Sequence, residues 1–119
     1  MKSFEKFIAL SGLPRSGSTL LSSILSQNPD IHAEGNSAVC QLMWDVQQSC
    51  RIYCREQLGA TNRLNTENDI LSSIPQIYYK DITSKIVFDK CRSWTIPENL
   101  ELLNNSFDYK PKVIVLLRP

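Results

Sequence analysis

Three short apolar runs stand out along the chain, separated by stretches whose hydrophobic residues recur at helical spacing. Residues 4–11 and 85–89 have the length of strands and are apolar at their centres, Phe7-Ile8-Ala9-Leu10 and Ile86-Val87-Phe88. Residues 112–117, Lys-Val-Ile-Val-Leu-Leu, run on without a polar interruption after the lysine. Unbroken apolarity of this kind suits parallel strands covered on both faces, so these runs predict central strands of one sheet. Residues 19–27 carry apolar side chains at helical spacing and are closed by Asn28-Pro29-Asp30, which predicts a helix directly after the first strand. Residues 31–35 read as a short extended segment returning to the surface. Asn36 or Ser37 can then cap a helix that runs through Trp44 to about Leu58 and ends at Gly59-Ala60-Thr61-Asn62. A third helical stretch, 67–74, is expected to be interrupted by Pro75 and to continue over 77–82. Residues 97–103 have the length and pattern of a crossover helix. The order predicts an α/β domain of three layers, a central parallel sheet flanked by helices, spanning residues 1–119 as one unit.

Composition narrows the function classes. With 119 residues, 42% of them hydrophobic, and a formal charge of +1, the chain fits one soluble globular domain. Acidic residues nearly balance the basic ones and no basic run occurs, which argues against a broad nucleic-acid-binding surface. The first six residues include an acid and lead into only a short apolar stretch, so neither a secretory signal nor a membrane span is expected, and the expected location is cytoplasmic. Cys40, Cys50, Cys54 and Cys91 lack paired Cys-x2-Cys spacing and are read as reduced, mostly buried small residues. Cys50 and Cys54 would share a helix face at i, i+4, a spacing that permits a metal or redox role. His32 is the only histidine, which excludes a multi-histidine metal site.

Candidate chemistry concentrates after the first strand, in Gly12-Leu13-Pro14-Arg15-Ser16-Gly17-Ser18-Thr19. Gly12, Gly17 and Thr19 fit the frame of a phosphate-cradling loop, whose glycines let successive N–H groups turn onto an anion at the positive end of the following helix. Where a nucleoside triphosphatase has its lysine, this chain has Ser18, and the cation lies earlier, at Arg15, whose guanidinium can fork onto two oxygens. The plain alternative is a strand-to-helix turn without a ligand. In a parallel sheet, ligands lie beyond the carboxyl ends of the strands. There the three predicted strands deliver Arg15, Lys90 and Arg118.

With these residues in place the chain resembles the sulfotransferase superfamily. Leu13-Pro14-Arg15-Ser16-Gly17-Ser18-Thr19-Leu20-Leu21, followed by Gln27-Asn28-Pro29-Asp30, looks particularly like bacterial-type sulfotransferase family proteins and the tyrosylprotein sulfotransferases. Weaker similarity covers Phe88-Asp89-Lys90-Cys91-Arg92-Ser93-Trp94 and Val113-Ile114-Val115-Leu116-Leu117-Arg118, and residues 40–84 carry no motif of the family.

The resemblance implies 3′-phosphoadenosine-5′-phosphosulfate as donor, a hydroxyl or amine acceptor, and transfer without a metal. It implies that Arg15, Ser16, Gly17, Ser18 and Thr19 hold the 5′-phosphosulfate and that Arg118 binds the 3′-phosphate. Glu34 or His32 is the implied general base; Ala33-Glu34-Gly35-Asn36-Ser37 corresponds, one residue out of register, to the segment holding the catalytic glutamate of the tyrosylprotein enzymes. Lys90 would support the transferring group. In the family the 3′-phosphate segment continues past its arginine into a helix bearing a serine ligand, whereas this sequence stops at Pro119. A fragment is therefore expected, one that could need a separate C-terminal half or a second copy of the chain, and an inactive truncated nucleotide-binding module is the alternative reading. A kinase-like phosphotransferase is disfavoured because no lysine follows Gly17.

Overall fold

A computed structural model describes residues 4–12 and 17–117, without the side chains of Ser18 and Thr19. Four strands, β1 (Lys6–Gly12), β2 (Ile31–Ala33), β3 (Ile86–Lys90) and β4 (Val113–Leu116), form a wholly parallel sheet in the order β2-β3-β1-β4. Five α-helices connect them: α1 (Ser18–Leu25), α2 (Val39–Gln48), α3 (Arg55–Ala60), α4 (Glu67–Tyr78) and α5 (Pro97–Ser106).

The strand order fixes the layers. The chain leaves β1 and passes over β3 to reach β2, whereas the connections from β2 to β3 and from β3 to β4 run in the opposite direction across the sheet. Right-handed crossovers then put α1 on one face and α2, α4 and α5 on the other. The latter three pack against one another. The three-layer α/β architecture expected from the sequence is thus the one observed.

The main core lies under α2, α4 and α5. Alternation along β1 sends Phe7 and Ala9 into it and Leu10 to the α1 face, all three buried. Trp94, fully buried, meets the Phe7 ring edge-on at 6.0 Å, and Phe107 stacks on the other side of Phe7 at 5.2 Å. Val39 and Met43 from α2, Leu71 from α4, and Leu102 and Leu103 from α5 complete the cluster.

Four local expectations differ from the structure. Residues 31–33 do not simply return to the surface: they pair with β3, Ile31 opposite Ile86 and Ala33 opposite Phe88, as an edge strand. β4 is the opposite edge rather than a central strand, and Ile114 and Val115 are exposed, so its continuous apolarity does not reflect cover on both sides within the described residues. The helix expected to reach Leu58 is broken after Gln48 by a π-helical turn, Ser49–Tyr53, closed by a Cys54 N–H to Ser49 carbonyl bond of 2.6 Å. That wider turn ends the buried stripe Val39, Cys40, Met43, Gln47 and Cys50 and separates Cys50 from Cys54, so the two do not share a regular helix face. Finally, α4 continues through Pro75. Its interior proline forfeits a backbone bond, and the helix is held by burial of Leu71, Pro75 and Tyr79, four residues apart along one stripe.

Candidate functional site at the strand exits

β1 and β3 are neighbours whose exits lead to opposite faces, β1 to α1 and β3 towards α5. This is a topological switch point, where the two connecting loops part and leave a crevice beyond the carboxyl ends of the strands. The loops are tied at its floor. Cys91 N–H donates to the Leu10 carbonyl at 2.9 Å, and the Ser11 hydroxyl donates to the Arg92 carbonyl at 2.9 Å.

On the β1 side, Gly17 opens α1 with φ 92° and ψ 8°. A Cβ there would meet no atom within 4 Å, so the requirement for glycine lies in the backbone angle and not in crowding. No described side chain caps the helix, and its first turn contains no acid. No described side chain therefore competes with an anion for the first-turn N–H groups, at the end of the helix where one is favoured. Arg15, Ser16 and Arg118 lie outside the described residues, as do the side chains of Ser18 and Thr19.

On the β3 side, the pleat separates two consecutive charged residues. Asp89 points to the main core and is completely buried. Its carboxylate accepts from the Ser37 hydroxyl at 2.5 Å, the Tyr79 hydroxyl at 2.6 Å and the Trp94 indole N–H at 2.8 Å. Burial pushes its pKa above the usual carboxylate value, against the three hydrogen bonds that pull it down; burial likewise raises Tyr79, followed by the effect of Asp89 itself. Sequence reasoning assigned Asp89 no role. The available signal was its position as an acid at the end of an otherwise apolar strand.

Lys90 points the other way, into a cleft of about 350 Å3 that it lines with Ser22 and Ser23 of α1, Ser26 at the end of that helix, and Glu34 and Gly35 after β2. Ser26 is fixed by donating to the Ala33 carbonyl at 2.5 Å. Ser22 is buried, and its hydroxyl has no hydrogen-bond partner among the described residues. A buried hydroxyl facing a polar cleft without a partner is the kind of group that a bound ligand satisfies. These serines were also missed from sequence; of them Ser22 turns inward, while Ser23 and Ser26 are exposed, as are Leu20 and Ile24.

Glu34 and Lys90, two of the residues singled out from sequence, therefore share one cleft. His32 does not line it. It lies opposite Val87 on the other face of the sheet, with its ring 5.7 Å from that of Tyr79, yet its Nε2 reaches Glu34 Oε2 at 2.7 Å. Among the described residues no three His, Cys, Asp or Glu side chains are grouped to hold a metal ion, and no helix is long and apolar enough to cross a membrane.

A comparison with curated proteins gives no match. The sulfotransferase family model matches residues 8–101, which takes in most of β1, the Gly17 opening of α1, Glu34, Lys90 and the first half of α5. Spanning most of the sequence, that match shows that the chain belongs to the sulfotransferase family, whose chemistry is sulfuryl transfer.

Proposed function

We propose that this crevice binds 3′-phosphoadenosine-5′-phosphosulfate and that the chain takes part in transferring its sulfuryl group to an acceptor hydroxyl or amine. The observation that carries this reading is the left-handed Gly17 at a helix start that no described side chain caps, following β1, the neighbour of the strand that delivers Lys90. In this reading Arg15, Ser16, Gly17, Ser18 and Thr19 hold the 5′-phosphosulfate, and Arg118 binds the 3′-phosphate. The unpartnered Ser22 hydroxyl and the cation of Lys90 suit an anionic ligand in the adjoining cleft. A cytoplasmic setting is part of the same reading, in which all four cysteines are free thiols.

In the transfer, the acceptor oxygen or nitrogen forms a bond to sulfur while the bond from sulfur to the 5′-phosphate oxygen breaks. The acceptor's proton passes to the Glu34 carboxylate, which His32 orients through their 2.7 Å contact. Lys90 and the α1 N–H groups face the charge that gathers on the departing phosphate and the sulfuryl oxygens. A sulfuryl group carries less charge than a terminal phosphoryl, so hydrogen bonds and one or two cations suffice for it. Calorimetric titration with 3′-phosphoadenosine-5′-phosphate tests the reading. Saturable binding at one site is expected, and Arg15→Ala should weaken it by about 1.5–3 kcal/mol. Absence of binding to the wild-type chain, or equal binding by Arg15→Ala, overturns it.

A further inference from the structure

Cys40 stands in the first turn of α2 and Cys91 directly follows β3, and the backbone brings the two segments together without help from either sulfur. Ser37 N–H donates to the Lys90 carbonyl at 3.0 Å, and the Ser37 hydroxyl both donates to Asp89 and accepts from Val39 N–H at 3.1 Å. Cys91 is held in turn by its N–H bond to Leu10. Within this frame both side chains join the same core, Cys40 inside the cluster and Cys91 packed against it, and each sulfur shifts the ionisation of the other. Cys40 is buried and Cys91 half-buried. Cys40 also lines a cavity of about 400 Å3 with Trp44, Ser93 and Asn99.

We propose that Cys40 and Cys91 form a dithiol that a hydroperoxide converts into an intramolecular disulfide, fastening the start of α2 to the exit of β3 one residue from Lys90. The two thiols have different parts. Cys91 is the more exposed of the two and Cys40 is enclosed in the core. In the same sense, the Cys40 thiol lowers the Cys91 pKa, assisted by the N–H and hydroxyl of Ser93 and opposed by burial and by Asp89, while the neighbouring Cys91 sulfur and burial raise Cys40. Cys91 is thus the attacking thiolate. Its sulfur displaces hydroxide from the peroxide oxygen to give a sulfenic acid, and the hydroxide takes up a proton as water. The Cys40 sulfur then attacks the sulfenic sulfur, its own proton leaves with the hydroxyl as a second water, and the S–S bond forms. Two thiols and one peroxide become one disulfide and two waters. Cys50 and Cys54 provide an internal comparison: burial raises Cys50, and Cys54 is exposed on the far side of the π-helical turn.

The test treats the full chain with an equimolar amount of hydrogen peroxide, traps the remaining thiols with a maleimide and maps the cross-link by peptide mass. A Cys40–Cys91 disulfide is expected, reversed by dithiothreitol and formed at least about tenfold faster than any Cys50–Cys54 link. In Cys40→Ala, Cys91 should stop at the sulfenic acid and be captured by dimedone. The wild-type measurement needs no variant to fold and does not depend on sulfuryl transfer, so its outcome is separable from that of the nucleotide titration. Preferential oxidation of Cys54, or a Cys91 sulfenic acid that persists in the wild type without a cross-link, overturns the proposal.

Discussion

Asp89 and Lys90 are consecutive in sequence and differ in every other respect. The carboxylate sits in the face covered by α2 and α4, with its three hydrogen-bond donors supplied by the protein. The ammonium group lies at the face covered by α1, in an open cleft beside a serine hydroxyl that no described residue satisfies. One step along a pleated strand thus separates a polar group that specifies the fold from one that can face a ligand. Enclosure in the core, more than charge or position at the strand end, distinguishes the two roles.

The largest effect expected from testing this contrast is on stability. Asp89→Ala strips the acceptor from two hydroxyls and an indole N–H in a dry core and should cost about 3 kcal/mol or more in urea unfolding. A loss no greater than that of a surface substitution would mean that the network does not hold the fold. The gentler Asp89→Asn variant reads out the ionisation. Burial raises the Asp89 pKa, so the folded chain holds the proton more tightly than the unfolded one. The stability this group contributes is then complete below the unfolded carboxylate value of about 3.9 and is lost as pH rises through the folded value. The wild type should accordingly lose stability relative to Asp89→Asn with increasing pH; the opposite slope would show a carboxylate held ionised by its three donors.

Much of the fold was legible in the sequence, whereas the role of Asp89 was not, and what stayed hidden did so for identifiable reasons. β1 and α1 could be read because glycine placement and apolar periodicity agree there. The apolar run at 112–117 gave the existence of β4 but not its place, since periodicity reports burial and cannot distinguish a central strand from an edge. Three-residue β2 is too short to show a period. Pro75 reads as a helix break on propensity alone; the burial of Leu71 and Tyr79 on the same stripe, a tertiary matter, overrides it. Lys90 was legible as a strand-exit residue and Glu34 through the family resemblance, but that His32 would point to the opposite face depended on the β2–β3 register. The inward position of Ser22 was hidden because the apolar residues of α1 are the natural candidates for its buried side.

On the ligand side of the comparison the next effect in size belongs to Gly17. A Cβ at residue 17 meets no described atom within 4 Å, but valine at φ 92° forces a β-branched residue into a left-handed conformation, at a cost of about 1–2 kcal/mol. Gly17→Val should therefore weaken binding of 3′-phosphoadenosine-5′-phosphate by roughly tenfold or more. Normal affinity would reduce the loop to a simple turn. Lys90→Ala should follow with a loss of about 1 kcal/mol, the scale of a partly exposed cation, and with unfolding unchanged to within about 0.5 kcal/mol. A large loss of stability in Lys90→Ala would erase the distinction from Asp89.

The smallest effect is the most discriminating, because its sign differs between the two readouts. The Ser22 hydroxyl is buried without a partner among the described residues, so the folded protein already carries the desolvation cost of that group. Ser22→Ala removes the cost and should leave unfolding unchanged or shifted towards greater stability, by no more than about 1 kcal/mol. If an anion in the cleft supplies the missing partner, the same substitution should weaken 3′-phosphoadenosine-5′-phosphate by a comparable amount, since that bond is made only in the complex. The two measurements must therefore move in opposite directions, stability level or up and affinity down. A variant that lost stability would show Ser22 to be hydrogen-bonded within the fold as Asp89 is, and one that bound the nucleotide as tightly as the wild type would place the ligand away from the α1 serines.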